Sequence, residues 1–137
     1  MSDTNETATR GGDAAVSRAV AELAAALVQP GTSVEEVAQI ILDHAKALTG
    51  SLHGYVGSID PVTGDLVSHT LTDMMGGECT VKGRDNRFPR GADGRYNGLW
   101  GHSLNTREAF FTNDPESHMA SHGLPAGHVP IGNLLSA

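Results

Sequence analysis

Four side chains near the C-terminal end are of the types that bind metals: Asp114, His118, His122 and His128. His118 and His122 stand four positions apart, which on a helix puts both imidazoles on one face, as zinc requires. Pro115, Gly123 and Pro125 oppose a regular helix there, and a tetrahedral site needs settled ligand geometry. These groups therefore read as loop histidines that fix backbone turns by hydrogen bonds, and no metal is expected. A second cluster is cationic. Lys82, Arg84, Arg87, Arg90 and Arg95 place five of the nine cations in one stretch. Guanidinium groups bind carboxylate and phosphate through paired hydrogen bonds. Asp85 and Asp93 partly neutralise the run, so a solvated loop is the plainer reading, since surface charges seldom bind anything specific. Cys79 is the single cysteine. Redox sensing, haem ligation or attachment of a linear tetrapyrrole would each use it, but its reactivity needs a lowered pKa that no neighbour clearly supplies. A half-buried thiol is the commoner fate of a free cysteine.

No motif announces a reaction. The chain holds no G-x-S-x-G, no G-x-x-x-x-G-K-[ST], no H-E-x-x-H and no C-x-x-C, the patterns that place a nucleophile, cradle phosphates or hold zinc. No catalytic residue is expected. Gly94, Gly98 and Gly101 do not form a dinucleotide fingerprint, because no strong strand precedes them. The formal net charge of -7 argues against nucleic acid or an anionic membrane surface as partner, since both need a basic face. A single cysteine excludes an internal disulfide and fits a reducing cytoplasm. The N-terminus lacks a basic region and an apolar core, so it is not a signal peptide. No apolar run approaches the roughly 20 residues of a membrane span, so direct membrane insertion is not expected.

The 137 residues suit one domain. Residues 1–12 are polar and read as a disordered tail. Asp13 can cap a helix from Ala14 to Val28, and residues 13–31 read as a signalling or dimerisation segment. Val16, Val20, Leu23 and Leu27 form one narrow apolar stripe, which suits a homodimer seam through the helix at 14–28 or packing within the domain. Pro30-Gly31 stops that helix. Ser33 and Glu36 form a capping box for a second helix ending near Thr49, with Val34, Val37, Ile41 and Leu48 as its buried face, Ile40 alongside and Gly50 as C-cap. Leu52 to Ile59 and Leu66 to Leu71 read as the strands of a hairpin around Asp60-Pro61-Val62-Thr63-Gly64-Asp65. From Thr72 to Asn97 periodicity is lost, and so long a loop is usually functional or mobile. A short helix from Leu99 to Leu104, a strand from Ala109 to Thr112, a loop over 114–128 and a strand from Ile131 to Ser136 complete the chain.

That order, with Gly54-Tyr55-Val56, Asp60-Pro61, Gly64-Asp65-Leu66-Val67, Phe88-Pro89-Arg90 and Gly98-Leu99-Trp100-Gly101 in register, resembles a GAF domain. The likeness is to those at the front of bacterial multidomain sensor histidine kinases. It covers residues 32–137. It implies an α/β (α+β) fold: an antiparallel sheet with N-terminal helices on one face and ligand loops on the other. A GAF domain continues past this point with further strands and a closing helix, so the resemblance implies a domain incomplete at its C-terminus: a truncated product, a gene fragment or one part of a larger protein. It also draws attention to Arg90, within Phe88-Pro89-Arg90. Equivalents of His118 and His128 are common in the resembled family, while His122 is often absent. Bilin-binding members often carry Cys-His, whereas Thr80 follows Cys79, so neither haem nor bilin is expected and the cofactor stays unnamed.

The function implied is a small-molecule sensor of a bacterial two-component system, with an unidentified ligand held between the sheet and the loops at 72–98 and 114–128. Cys79, Arg90, Trp100, Asn113, Asp114, His118 and His128 are the expected ligand-binding residues. Trp100, Phe110 and Phe111 suit a core, and Trp100 also suits an apolar pocket wall. Two alternatives are a free-cysteine methionine sulfoxide reductase-like enzyme of GAF fold, which needs a reactive cysteine and usually a second to resolve it, where Cys79 stands alone, and a dimerisation module without ligand.

Overall fold

The structure, a computed structural model, describes residues 3–70 and 86–137, with side chains from residue 11 onward. Among these residues the chain forms two compact units, one of 3–57 with 68–70 and one of 58–67 with 86–137. The first unit contains helices α1 (Asp3–Val28) and α2 (Val34–Thr49). The capping box is formed as the sequence suggests. The Ser33 hydroxyl accepts from the Glu36 N–H (3.1 Å), and the Glu36 carboxylate accepts from the Ser33 N–H (2.7 Å). The Ser33 N–H, with the Ser33 hydroxyl also donating to the carboxylate (3.0 Å), holds the Glu36 carboxyl below the usual carboxylate range. At the other end Gly50 closes the helix, donating to the Lys46 carbonyl (2.8 Å).

The helices meet through small residues. Ala15, Ala19 and Leu23 are half-buried and Ala26 is buried on α1, against buried Ala38 and Leu42 on α2. The Glu22 carboxylate and His44 Nε2 join the pair at 2.8 Å. The expected buried face of α2 is corrected, and on α1 the stripe that suits either a dimer seam or packing within the domain lies mostly outside the contact with α2. Val16, Val20 and Leu27 on α1, and Val34, Ile41 and Leu48 on α2, are exposed. Alanine on the inner face lets two helices approach closely, which the bulkier Val, Ile and Leu positions would prevent. Helix α1 also begins at Asp3, ahead of Ala14 and within the segment expected as a tail.

The second unit is built on a hairpin. Strands β1 (Gly57–Ile59), β2 (Leu66–Ser68) and β3 (Arg87–Phe88) form an antiparallel sheet in the order β1-β2-β3, with Leu66 opposite Phe88 and Val67 opposite Arg87. The expected strand at 52–59 is shorter than its composition suggested. Leu52 is exposed, and the Val56 N–H turns to the Thr70 hydroxyl (2.8 Å), which ends the regular ladder. Strand β3 falls inside the stretch expected as loop; two residues are too few for any period to show. Helix α3 (Gly98–Thr106) is followed by β4 (Phe110–Thr112) and β5 (Leu134–Ser136), paired antiparallel with Phe111 opposite Leu135. The Ser103 and Ser136 hydroxyls share a hydrogen bond of 2.7 Å between helix and strand. Among the described residues this is a mixed α+β fold of three helices and small antiparallel sheets.

The hairpin turn is tied by two carboxylates and one guanidinium. Asp60 Oδ1 accepts from the Val62 and Thr63 N–H groups (2.8 and 3.2 Å), the local bonding that makes Asp a turn residue. Arg87, reaching from β3, donates to Asp60 Oδ2 (2.8 Å), Asp65 Oδ2 (3.4 Å) and the Thr63 hydroxyl (3.2 Å). The Arg87 bond is the largest cause holding the Asp60 carboxyl down, to about 2. A depressed carboxyl contributes its stability above its unfolded pKa, about 4, and loses it as pH falls through its folded value. The chain should therefore lose stability between about pH 4 and pH 2. Arg87→Gln should lower the urea midpoint at pH 7 and flatten that acid limb. Parallel midpoint-against-pH curves for the two proteins would contradict the coupling.

Candidate ligand site

The segment after β3 is folded by its own polar groups. Asp65 Oδ1 accepts the Arg90 N–H (3.0 Å), so the hairpin turn also anchors the chain beyond β3. A tight turn follows, with Gly91 N–H on the Arg95 carbonyl and Gly94 N–H on the Gly91 carbonyl, both at 2.8 Å. Asp93 Oδ1 accepts from the Arg95 N–H (3.0 Å). Arg90 Nε donates to the Gly94 carbonyl (2.7 Å), and its guanidinium lies 6.0 Å from the centre of the Tyr96 ring, within cation–π range. The Tyr96 hydroxyl reaches back to the Gly64 carbonyl (2.7 Å).

Helix α3 is clipped to this loop. Asn105 accepts the Tyr96 N–H (2.9 Å) and donates to the Tyr96 carbonyl (2.7 Å), using both ends of its amide on one residue. Trp100 stacks near Phe88 and Tyr96, with ring centres 5.0 and 5.8 Å away. Arg107 caps α3 in the left-handed region (φ 60°), donating its N–H to the Ser103 carbonyl (2.7 Å). Between these parts lies a cavity of about 340 Å³, lined by Ile59, Arg90, Gly94, Arg95, Tyr96, Leu104, Asn105 and Arg107. That volume falls in the range of small-molecule sites.

A second cavity of about 280 Å³ lies between the start of α3 and the following loop, lined by Leu99, Pro115, Glu116, Ser121, Gly123, Leu124 and Ile131. Its loop is held by the residues that first suggested metal. Asp114 Oδ1 accepts from the Ser117 N–H (3.2 Å), and His118 Nδ1 accepts from the Ala120 N–H (3.2 Å). His128 Nδ1 faces the Val129 carbonyl at 2.6 Å; a carbonyl only accepts, so this nitrogen carries the proton. The His118 ring also packs against His102 and Phe110, with centres 4.9 and 5.1 Å away.

Of the expected ligand residues that the structure describes, only Arg90 lines the first cavity, and none lines the second. Trp100 is a packing residue beside the first cavity and forms no part of its wall. Asp114, His118 and His128 fasten turns, while Asn113 is exposed. Cys79, with Lys82 and Arg84, lies outside the described residues. Among the described residues no three His, Cys, Asp or Glu side chains gather as metal ligands. Sequence reasoning missed Tyr96, Asn105 and Arg107. Arg95, two positions from Asp93, was read as part of a solvated loop. Nothing in an Arg at the end of a helix signals a left-handed cap, which Gly or Asn usually supplies.

A family model described as GAF domain matches residues 31–137. A relative, the methyl sulfide methyltransferase-associated sensor of Methanosarcina acetivorans, is 31% identical over 102 residues, covering 74% of this chain. The match takes in only 10% of that protein's length. No solved structure matches the chain.

The clip between α3 and Tyr96 yields a test. A Cβ on buried Gly101 would stand 2.6 Å from the Tyr96 carbonyl carbon and 2.7 Å from its oxygen. These are backbone atoms, and Asn105 pins them, so the clash cannot be relieved by a side-chain rotation. Gly101→Ala should cost about 1–3 kcal/mol, the usual penalty for overpacking, despite alanine's better helix propensity. Chemical denaturation checks this; an unchanged or raised midpoint would show that helix and loop separate easily.

Proposed function

The chain belongs to the GAF domain family, and from that premise we propose that it is a small-molecule-sensing module of a signal-transduction protein. The observation carrying this reading is the first cavity, ligand-sized at about 340 Å³, whose walls are already held by hydrogen bonds. Preformed, concave sites with a few oriented polar groups are what small-molecule recognition uses. The relative's description as a sensor supports the same reading. In the finer form we propose, the chain is the cytoplasmic, N-terminal sensor of a bacterial two-component histidine kinase, and it binds its ligand without transforming it. The reductase alternative gains no support, since Cys79 lies outside the described residues.

Net charge of -7 disfavours nucleic acid as a partner. No helix among the described residues is long and apolar enough to cross a membrane. A homodimer through residues 14–28 is part of the proposal. Val20 and Leu27 are 60% and 64% exposed on α1, one stripe round from the face that meets α2, and symmetric pairing of two copies would cover them.

Ligand binding is tested by thermal melting of the chain against small metabolites at millimolar concentration. A ligand present at 100 times its Kd should stabilise the folded state by about 2.7 kcal/mol. A melting temperature and amide NMR spectrum unmoved by every compound would overturn the sensing reading. For the dimer, Val20→Asp should yield monomers in sedimentation with helix content kept, because Val20 is exposed within its own chain. A dimer that persists in this variant means that α1 is not the seam.

A further inference from the structure

We infer that the cavity walled by Arg90, Arg95 and Arg107 is a site for a small oxyanion, a carboxylate or phosphate group; this deepens the sensing reading and rests on it. Among the described residues that line it, three are arginines and none is acidic, in a chain whose net charge is -7. Among the described residues no carboxylate lies within ion-pair distance of these three guanidiniums. The neighbouring acids are otherwise engaged. Asp93 bonds the Arg95 N–H, and Asp65 bonds the Arg90 N–H and the Arg87 side chain. Glu108, next to Arg107 in the chain, is exposed and lines no part of the cavity.

The arginines are also positioned, not merely present. Arg90 spends its Nε on the Gly94 carbonyl and lies against Tyr96, which leaves its two terminal nitrogens for paired bonds to an oxyanion. Arg107 is the sole non-glycine residue with positive φ among those described. An L-residue with a long side chain is disfavoured there, and Gly or Asn would cap the helix at less cost. The arginine found instead brings a third guanidinium to the same cavity. Strain held at a concave, charged site is the pattern of a binding residue. Leu104 and Ile59 add an apolar wall, which suits a small organic acid or phosphate ester better than a bare inorganic ion.

The test titrates the full chain with inorganic phosphate and, separately, with succinate as a dicarboxylate, followed by calorimetry and amide NMR. At least one should bind, with shifts at residues 94–96 and 104–107, and binding should weaken with salt. Arg107→Gly removes the guanidinium while suiting the left-handed cap, so its melting temperature should hold or rise. Its affinity should fall about tenfold or more, the size of one lost charge-assisted bond. Arg95→Gln should fall likewise, and Arg107→Lys should retain part of the affinity. Affinities unchanged in both Arg107→Gly and Arg95→Gln would overturn the proposal. If a neutral metabolite binds while neither anion does, the oxyanion site falls and the sensing reading stands; if nothing binds, both fall.

Discussion

A guanidinium shared by two carboxylates of one turn organises the second unit. Arg87 lies on a two-residue strand, which has too little ladder to hold itself. Its side chain spans to Asp60 and Asp65, on either side of the hairpin turn, and so fixes β3 against β2 in one register. Partly exposed ion pairs are ordinarily worth little. Here the carboxylates are already oriented by backbone N–H groups, Asp60 by Val62 and Thr63 and Asp65 by Arg90, so the guanidinium meets partners whose entropy is spent. The Arg90 bond then passes the constraint into the loop whose arginines and Tyr96 wall the first cavity.

Legibility in the sequence followed the range of the interaction. The capping box of Ser33 and Glu36, the Asp60–Asp65 turn and the sites of α3, β4 and β5 are set within a few residues, and local chemistry located them. The face of α2 was misread because Val34, Ile41 and Leu48 attract attention, whereas its buried positions are Ala38 and Leu42. Small residues carry a faint hydrophobic signal yet set how near two helices can come. Strand β3 was invisible because Arg87 pairs with residues more than twenty positions away.

The candidate site divides in the same way. Arg90 was singled out because Phe88-Pro89-Arg90 belongs to a recognisable pattern, and it does line a cavity. The histidines drew notice for their chemistry, and for two of them the turn-fixing reading holds: His118 and His128 spend Nδ1 on the backbone in the loop beside the second cavity. Arg107 and Asn105 enter through the end of a helix and through a clip to Tyr96. Neither role follows from residue type or spacing, since both depend on where α3 stops and what it lies against.

Helix α3 is the element common to both cavities. Leu99, in its first turn, lines the apolar one, while Leu104, Asn105 and the capping Arg107 line the charged one. A nine-residue helix is about 13 Å long, so the two openings sit at opposite ends of one rigid rod. That rod has little freedom to slide. Gly101 lies against Tyr96 without room for a methyl group, Ser103 is bonded to Ser136, and Asn105 holds both polar atoms of one peptide residue. Shifting it along its axis would break all three contacts at once. A small ligand bound at either end would therefore be accommodated by side chains, and any larger response would require the helix to leave Tyr96 and β5 together, as a single step and not a graded one.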